Sequence, residues 1–319
     1  MLSVATLGSW PLWAGFLAFI ALMLALDLGV FHRKAHAVSL REAAVWSGVW
    51  IGLAAIFAFG VFHFFGPQRG LEFTTGYLIE KALSVDNIFV MVVLFGAFAV
   101  PAHQQHRVLF WGILGALVMR AVFILAGTAL IARFHWTIYV FGVFLVFTGV
   151  KMLLSRGGEG HPENNVLVRL ARRVLPVAPG GDMTHFFARA GGRWRVTPLF
   201  LALVAVEFTD LIFAVDSIPA VLAISRDPFI VFTSNIFAIL GLRSLYFLLA
   251  GVVHRFRYLK VGLALVLVFV GVKMAIVDLF KIPVGVSLAV VGLLITGSIL
   301  SSLVADGRQR RPQERTATS

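Results

Sequence analysis

Two short stretches place acids where the surrounding sequence is apolar. Glu80-Lys81-Ala82-Leu83-Ser84-Val85-Asp86-Asn87 sets two carboxylates, a lysine and an amide inside a hydrophobic run. Asp210 to Ser217 repeats the order: acid, five residues, aspartate, small polar residue. At about 100° per residue, Glu80, Ser84 and Asn87 share one helical face, with Asp86 flanking it. Asp210 and Ser217 likewise share a face, with Glu207 beside Asp210 and Asp216 flanking. Pro219 cannot donate to the carbonyl of Val215, which frees a backbone oxygen next to Asp216. Thr233, Ser234 and Asn235 follow. The donors on offer are carboxylate, amide, hydroxyl and carbonyl oxygens, a set suited to hard divalent cations such as Mn²⁺, Mg²⁺ or Ca²⁺.

Soft metals fit badly. The chain has no cysteine, its methionines do not cluster, and its nine histidines fall in loops or near the ends of apolar runs. Without cysteine there is also no disulfide framework and no thiolate site. No resident cofactor is expected, and nothing points to an enzyme: the Gly180-Gly181-Asp182 fragment, which resembles part of an intramembrane-protease motif, falls in a loop.

The acids must sit on membrane helices. Of 319 residues 60% are hydrophobic and 13% charged, with a mean hydropathy of +0.94. Soluble domains carry about twice that share of charge. Continuous apolar runs near the roughly 20 residues a bilayer requires recur along the chain, which indicates helices rather than an alternating barrel. Spans are expected at about 11–31, 41–65, 73–100, 108–131, 136–154, 197–224, 229–252, 259–279 and 284–304. The first lacks a basic leader and a small-residue cleavage site, so it reads as a span and not a signal peptide.

Of the 27 Lys and Arg residues, 18 then fall on one side of the membrane, four on the other and five within spans. The basic side is cytoplasmic. The expectation is a multi-pass protein of a bacterial inner membrane, N-terminus outside and C-terminus inside. Its net charge of +12 is topological and does not call for nucleic acid. The longest loop, 155–196, contains Asn164–Val177, where Val166, Leu167, Leu170 and Val174 share a face apart from Arg169, Arg172 and Arg173. It reads as a basic amphipathic helix, either on anionic inner-leaflet lipids or packed on the protein. The polar tail 306–319 reads as disordered.

The acidic motif is one of three matches in order. Leu145–Met152 and Leu267–Met274 agree at seven of eight positions, and Arg120 and Arg243 each precede an apolar run ending in Ala-Gly. The offsets are 130, 123 and 122 residues. This predicts an all-α fold of about nine transmembrane helices containing a duplicated three-helix unit. Its divisions are helices one and two (1–72), repeat A (73–154), the basic loop (155–196), repeat B (197–279), helix nine (280–305) and the tail. Three helices is an odd number, so the second copy would be inverted, as in many secondary transporters with a midplane site.

Glu80, Asp86, Glu207, Asp210 and Asp216 are costly in lipid unless offset. Lys81, Arg120 and Arg243 are the available counter-charges. One reading makes the five acids and three bases a structural network. The other uses the surplus of two acids to neutralise a divalent cation, with the bases occupying the site when the ion leaves. Lys151 and Lys273, near span ends, read as snorkelling, and Asp27 as a partner of Arg33 or Lys34.

The stretches EKALSVDNIFV (Glu80–Val90), EFTDLIFAVDSIPA (Glu207–Ala220) and SNIFAILGLRSLYFLLAG (Ser234–Gly251) resemble the TerC family of bacterial integral membrane proteins, first named for tellurium resistance. The likeness runs from the first loop to the end of the ninth span. It implies a nine-helix inner-membrane protein in a superfamily that includes LysE-type exporters. It also implies Mn²⁺ efflux, at times to metalate secreted enzymes. The family motif falls here on Glu80, Asp86 and Asn87 and on Asp210, Asp216 and Ser217, with Glu207 and Asn235 adjoining. An acidic site should repel tellurite, so a tellurium phenotype is expected to be indirect. The reading is proton-coupled metal export, with the metal ion, protons and the bilayer as partners and no oligomeric state implied. A non-transporting stress-response scaffold and a LysE-like exporter of organic cations remain as alternatives.

Overall fold

The computed structural model describes residues 8–31, 39–134, 136–154, 184–190, 193–250 and 258–316. The side chains of 26–31, 85–86, 89, 93, 97, 190, 193 and 306–316 are outside that description. The amphipathic segment 164–177, the Gly-Gly-Asp fragment, Arg33, Lys34 and the side chain of Asp27 therefore lie outside the described residues.

Helices follow the apolar runs, and their ends are written in the local sequence. α1 spans Trp10–Phe31 and α2 Leu40–Phe65. Ser39 caps α2 by accepting from the Glu42 amide at 3.2 Å, satisfying one donor that a helix start leaves free. α2 passes directly into α3 (Pro67–Ala97) through Gly66, whose φ of +88° suits glycine and little else. α4 is Ala102–Arg133 and α5 Thr137–Leu154. Two short strands, β1 (Phe187–Ala190) and β2 (Arg193–Val196), form an antiparallel hairpin. α6 (Pro198–Leu222) starts on a Thr197 cap with Pro198 at its first turn, and carries Pro219 within its last. Asp227 accepts from the amides of Phe229 and Ile230 to cap α7 (Pro228–Leu240). After Gly241 the chain turns by 40° into α8 (Leu242–Leu249). α9 (Leu259–Ala275) and α10 (Val284–Thr316) complete the described fold.

Among the described residues five helices are long and apolar enough to cross a bilayer: α2, α4, α5, α6 and the Val284–Ala305 part of α10. The bent pair α7–α8 makes a sixth if counted as one span. The other three expected spans are also helical. α1 has side chains described only over Trp10–Ala25, α3 carries the charged motif, and α9 has 17 residues. Three expectations need correction. Among the described residues the fold is helical apart from one hairpin, at the end of the basic loop 155–196, a departure from the expected all-α fold. α3 begins at Pro67 and not near residue 73, because proline is well placed in a helix's first turn. The tail expected to be disordered continues α10 to Thr316.

α3 lies at the centre, against α2, α6, α7 and α10, while α4 packs on α6 and α7. α5 and α9 form the most extensive pair, and they run antiparallel: Gly142 meets Gly271, and Gly149 meets Ala264. A Cβ on Gly271 would sit 2.6 Å from the Gly142 carbonyl oxygen, so these backbones touch where no side chain intervenes. Large apolar side chains such as Ile56, Phe59, Val143, Phe147 and Leu293 face outward, whereas Glu80, Asn87, Arg120, Asp210 and Asn235 are buried. A surface more apolar than the interior site is what a lipid solvent demands.

Candidate cation site inside the helix bundle

The acid at the start of each motif comes to one place. Glu80 on α3 and Asp210 on α6 are 1% and 3% exposed, and Arg120 of α4 lies between them. Its Nη2 donates to Asp210 Oδ1 at 3.0 Å and its Nε to Asp210 Oδ2 at 3.2 Å, a two-pronged contact that suits a planar guanidinium. Nη1 donates to Glu80 Oε1 and, at 3.4 Å, to Asn235 Oδ1 of α7. Asn87 of α3 adds a hydrogen bond from Nδ2 to Asp210 Oδ1 at 3.0 Å. Four helices thus meet at one buried arginine.

The network is incomplete. Glu80 Oε2, Ser84 Oγ, Asn87 Oδ1 and Ser217 Oγ are buried oxygens without a hydrogen-bond partner, and Asn235 Nδ2 is a donor without one. Buried polar groups are ordinarily satisfied, and each exception in the interior carries a penalty of about 1–3 kcal/mol. Here the orphaned oxygens are a carboxylate, an amide and two hydroxyls on the motif faces of α3 and α6. Their chemistry fits a hard cation. Among the described residues no three His, Asp or Glu side chains converge as a metal cluster. The arginine takes the place between the acids.

The remaining candidates separate from this centre. Asp86 belongs to α3, but its side chain lies outside the described residues. Asp216 is half-buried and faces Thr148 and Lys151 of α5. Glu207 is near Asp210 but packs against α4, where Gly115 leaves room for its carboxylate. Among the described side chains Lys81 pairs with none of the acids. Its Nζ donates to the Ala238 carbonyl at 3.2 Å, at the end of α7 where backbone carbonyls lose their helical partners. Gly241 admits it: a Cβ there would lie 2.8 Å from that nitrogen. Arg243 is buried on α8, and the ion pairs of Glu80 and Asp210 are made with Arg120 instead.

Sequence reasoning missed two groups. Glu72 is buried and accepts from Arg69, Gln68 and Ser225. Lys273, read as snorkelling, is 8% exposed and donates to Ser287 Oγ at 2.8 Å. An earlier start for α3, legible in Pro67 after Gly66, would have brought Glu72 into the same helix as Glu80.

Residues 65–310 match the integral membrane protein TerC family. This chain belongs to the TerC family. Over 299 residues it is 61% identical to an uncharacterised membrane protein of Myxococcus xanthus, covering 94% of each chain. It is 50% identical over 309 residues to the Escherichia coli K12 protein named Alx, provisionally described as a membrane-bound redox modulator, covering 94% of this chain and 96% of that one. The Photorhabdus laumondii protein of the same name is 45% identical over 304 residues, 92% and 95% of the two chains. No solved structure matches. Within this TerC-family bundle, the buried acids lie on two of the helices that pack against each other, α3 and α6.

Proposed function

We propose that this TerC-family protein is a secondary transporter that exports Mn²⁺ across the bacterial inner membrane in exchange for protons. The observation that carries the reading is the Glu80–Arg120–Asp210 cluster, with its unpartnered oxygens, buried among helices whose outward faces are apolar. Buried polar oxygens are ordinarily paired, and four on the motif faces are not. Such oxygens are available to a metal ion that takes the place of the guanidinium. Mn²⁺ and the outward direction come from the family resemblance, with oxygen donors as the chemical support.

The reading includes nine spans, N-terminus outside and C-terminus inside, with helices α3–α5 and α6–α9 as inverted units. Antiparallel α5 and α9 support it, as does a correspondence at the site. Under the repeat offset, Asn87–Asp210 maps onto Ser217–Glu80. The first pair is bonded, while Ser217 Oγ and Glu80 Oε2 are among the atoms left without partners. Alternating access would exchange which of these bonds is made, as the units rock about the site. A carboxylate takes up a proton as the metal leaves.

The redox role attached to relatives by name has no thiol to act through in this chain. Metal homeostasis reaches redox stress indirectly. The test is Mn²⁺ accumulation in an exporter-deficient bacterium expressing wild type, Glu80→Gln, Asp86→Asn or Asp210→Asn. Wild type should lower cellular Mn²⁺ and the variants should not, at equal membrane abundance. Equal accumulation in wild type and empty vector rejects manganese export.

A further inference from the structure

Glu72 aligns with the central site along α3. It precedes Glu80 by eight residues, so positions 72, 76, 80, 84 and 87 fall on one helical face. Glu72, Glu80, Ser84 and Asn87 are 5%, 1%, 2% and 1% exposed, and position 76 between the two carboxylates is glycine. A Cβ on Gly76 would lie 2.9 Å from Ser234 Oγ and 3.1 Å from Val221 Cγ1. Over the roughly 12 Å of helix rise between the acids, glycine at position 76 lets α6 and α7 close on α3, Val221 bringing a methyl and Ser234 a hydroxyl.

The far end of this stripe is tied to four elements. Glu72 Oε2 accepts from Arg69 Nη1 at 2.8 Å and from Ser225 Oγ, in the α6–α7 turn, at 2.6 Å. Its Oε1 accepts from Gln68 Nε2 at 3.3 Å. Lys273 of α9 lies near the same carboxylate while bonded to Ser287 of α10. Arg69 is 34% exposed, so it joins the buried carboxylate to the protein surface.

We propose that Glu72 is a second cation station, where a divalent ion leaving the Glu80 site meets extracytoplasmic water. The inference rests on the transporter reading and its topology, which puts the start of α3 outside. An arginine stands on each carboxylate in this state, Arg120 on Glu80 and Arg69 on Glu72. A departing cation displaces each in turn. The position matching Glu72 in the second unit is Ala202, fully buried among Leu199, Ala205 and Val206. The outer station has no inner twin, and ion release is built at one end.

The absence of cysteine from the chain gives a clean test. Ser225→Cys, in whole cells, is treated with a membrane-impermeant cationic thiol reagent, with and without external Mn²⁺, Ca²⁺ or Mg²⁺. Glu72→Gln is assayed in parallel for Mn²⁺ efflux. We expect labelling from outside, slowed several-fold by a divalent cation, and a tenfold or greater loss of efflux in Glu72→Gln at normal membrane abundance. No labelling, labelling that no divalent cation slows, or wild-type efflux in Glu72→Gln overturns the station. Protection by Ca²⁺ or Mg²⁺ but not Mn²⁺ upholds the station and rejects manganese as its ion. Should Glu72→Gln fail to reach the membrane, the Ser225→Cys arm decides alone.

Discussion

Arg120 holds both oxygens of Asp210, with Nε on Oδ2 at 3.2 Å and Nη2 on Oδ1 at 3.0 Å, while its remaining nitrogen bonds Glu80. One buried cation thus stands between the first acid of each sequence motif. The geometry of a guanidinium between two carboxylates resembles the charge arrangement a divalent ion would create, and the protein's behaviour without Arg120 should show it.

Arg120→Ala removes the only cation bonded to Glu80 and Asp210 among the described residues. Breaking a buried pair from one side typically costs about 3–5 kcal/mol, because a charge is left uncompensated. The variant should unfold at lower temperature than wild type in chelator. Mn²⁺ should raise its melting temperature more than that of wild type, since the ion no longer competes with a guanidinium. Thermal unfolding in detergent with and without Mn²⁺ measures both. Arg120→Ala that transports normally would show the arginine to be no working part.

Asp210→Asn and Asp216→Asn should differ. Asp210 is bonded to Arg120 and Asn87, whereas Asp216 faces Thr148 and Lys151. Equilibrium Mn²⁺ binding should fall at least tenfold in Asp210→Asn and less in Asp216→Asn. Equal losses would place Asp216 at the site during transport.

Lys81→Met should act on the break between α7 and α8. It loses a charged donor to the Ala238 carbonyl at 3.2 Å, a type of bond worth about 1.5–3 kcal/mol. Stability should fall by that order while Mn²⁺ binding to the folded fraction persists. Unfolding midpoints and binding titrations separate the two effects.

Gly271→Val should disrupt the α5–α9 contact, because its Cβ would meet the Gly142 carbonyl at 2.6 Å, and backbone yields less readily than a side chain. Overpacking ordinarily costs about 1–3 kcal/mol, and this one should reach the upper end. Gly292→Val, where nothing lies within 4 Å, is the control and should be neutral. Monodisperse yield on size-exclusion chromatography reads both.

Much of this architecture is legible in the chain, for physical reasons that also set the limits. Lipid requires long apolar helices, so α2, α4, α5, α6 and α10 announce themselves by composition. Charges cost too much in a membrane to be incidental, so Glu80, Arg120 and Asp210 stand out. What composition does not encode is direction around a helix end. Lys81 adjoins Glu80 in sequence yet serves a carbonyl on α7, because the break at Gly241 leaves that carbonyl open. Asp216 has the same rank as Asp210 in its motif, but it is six residues on and turns toward α5. A start for α3 near residue 73 hides Glu72, which the helix from Pro67 includes. The hairpin of β1 and β2 lies in a polar loop with no apolar alternation strong enough to mark it.

The most direct measurement is Mn²⁺ uptake into inside-out membrane vesicles energised with a proton gradient, comparing wild type with Glu80→Gln and Asp210→Asn. Proton-coupled export through this site predicts uptake by wild type that stops when the gradient is collapsed, and none above the empty-vector level in either variant. Wild-type uptake in both variants, or no uptake by wild type, would contradict it.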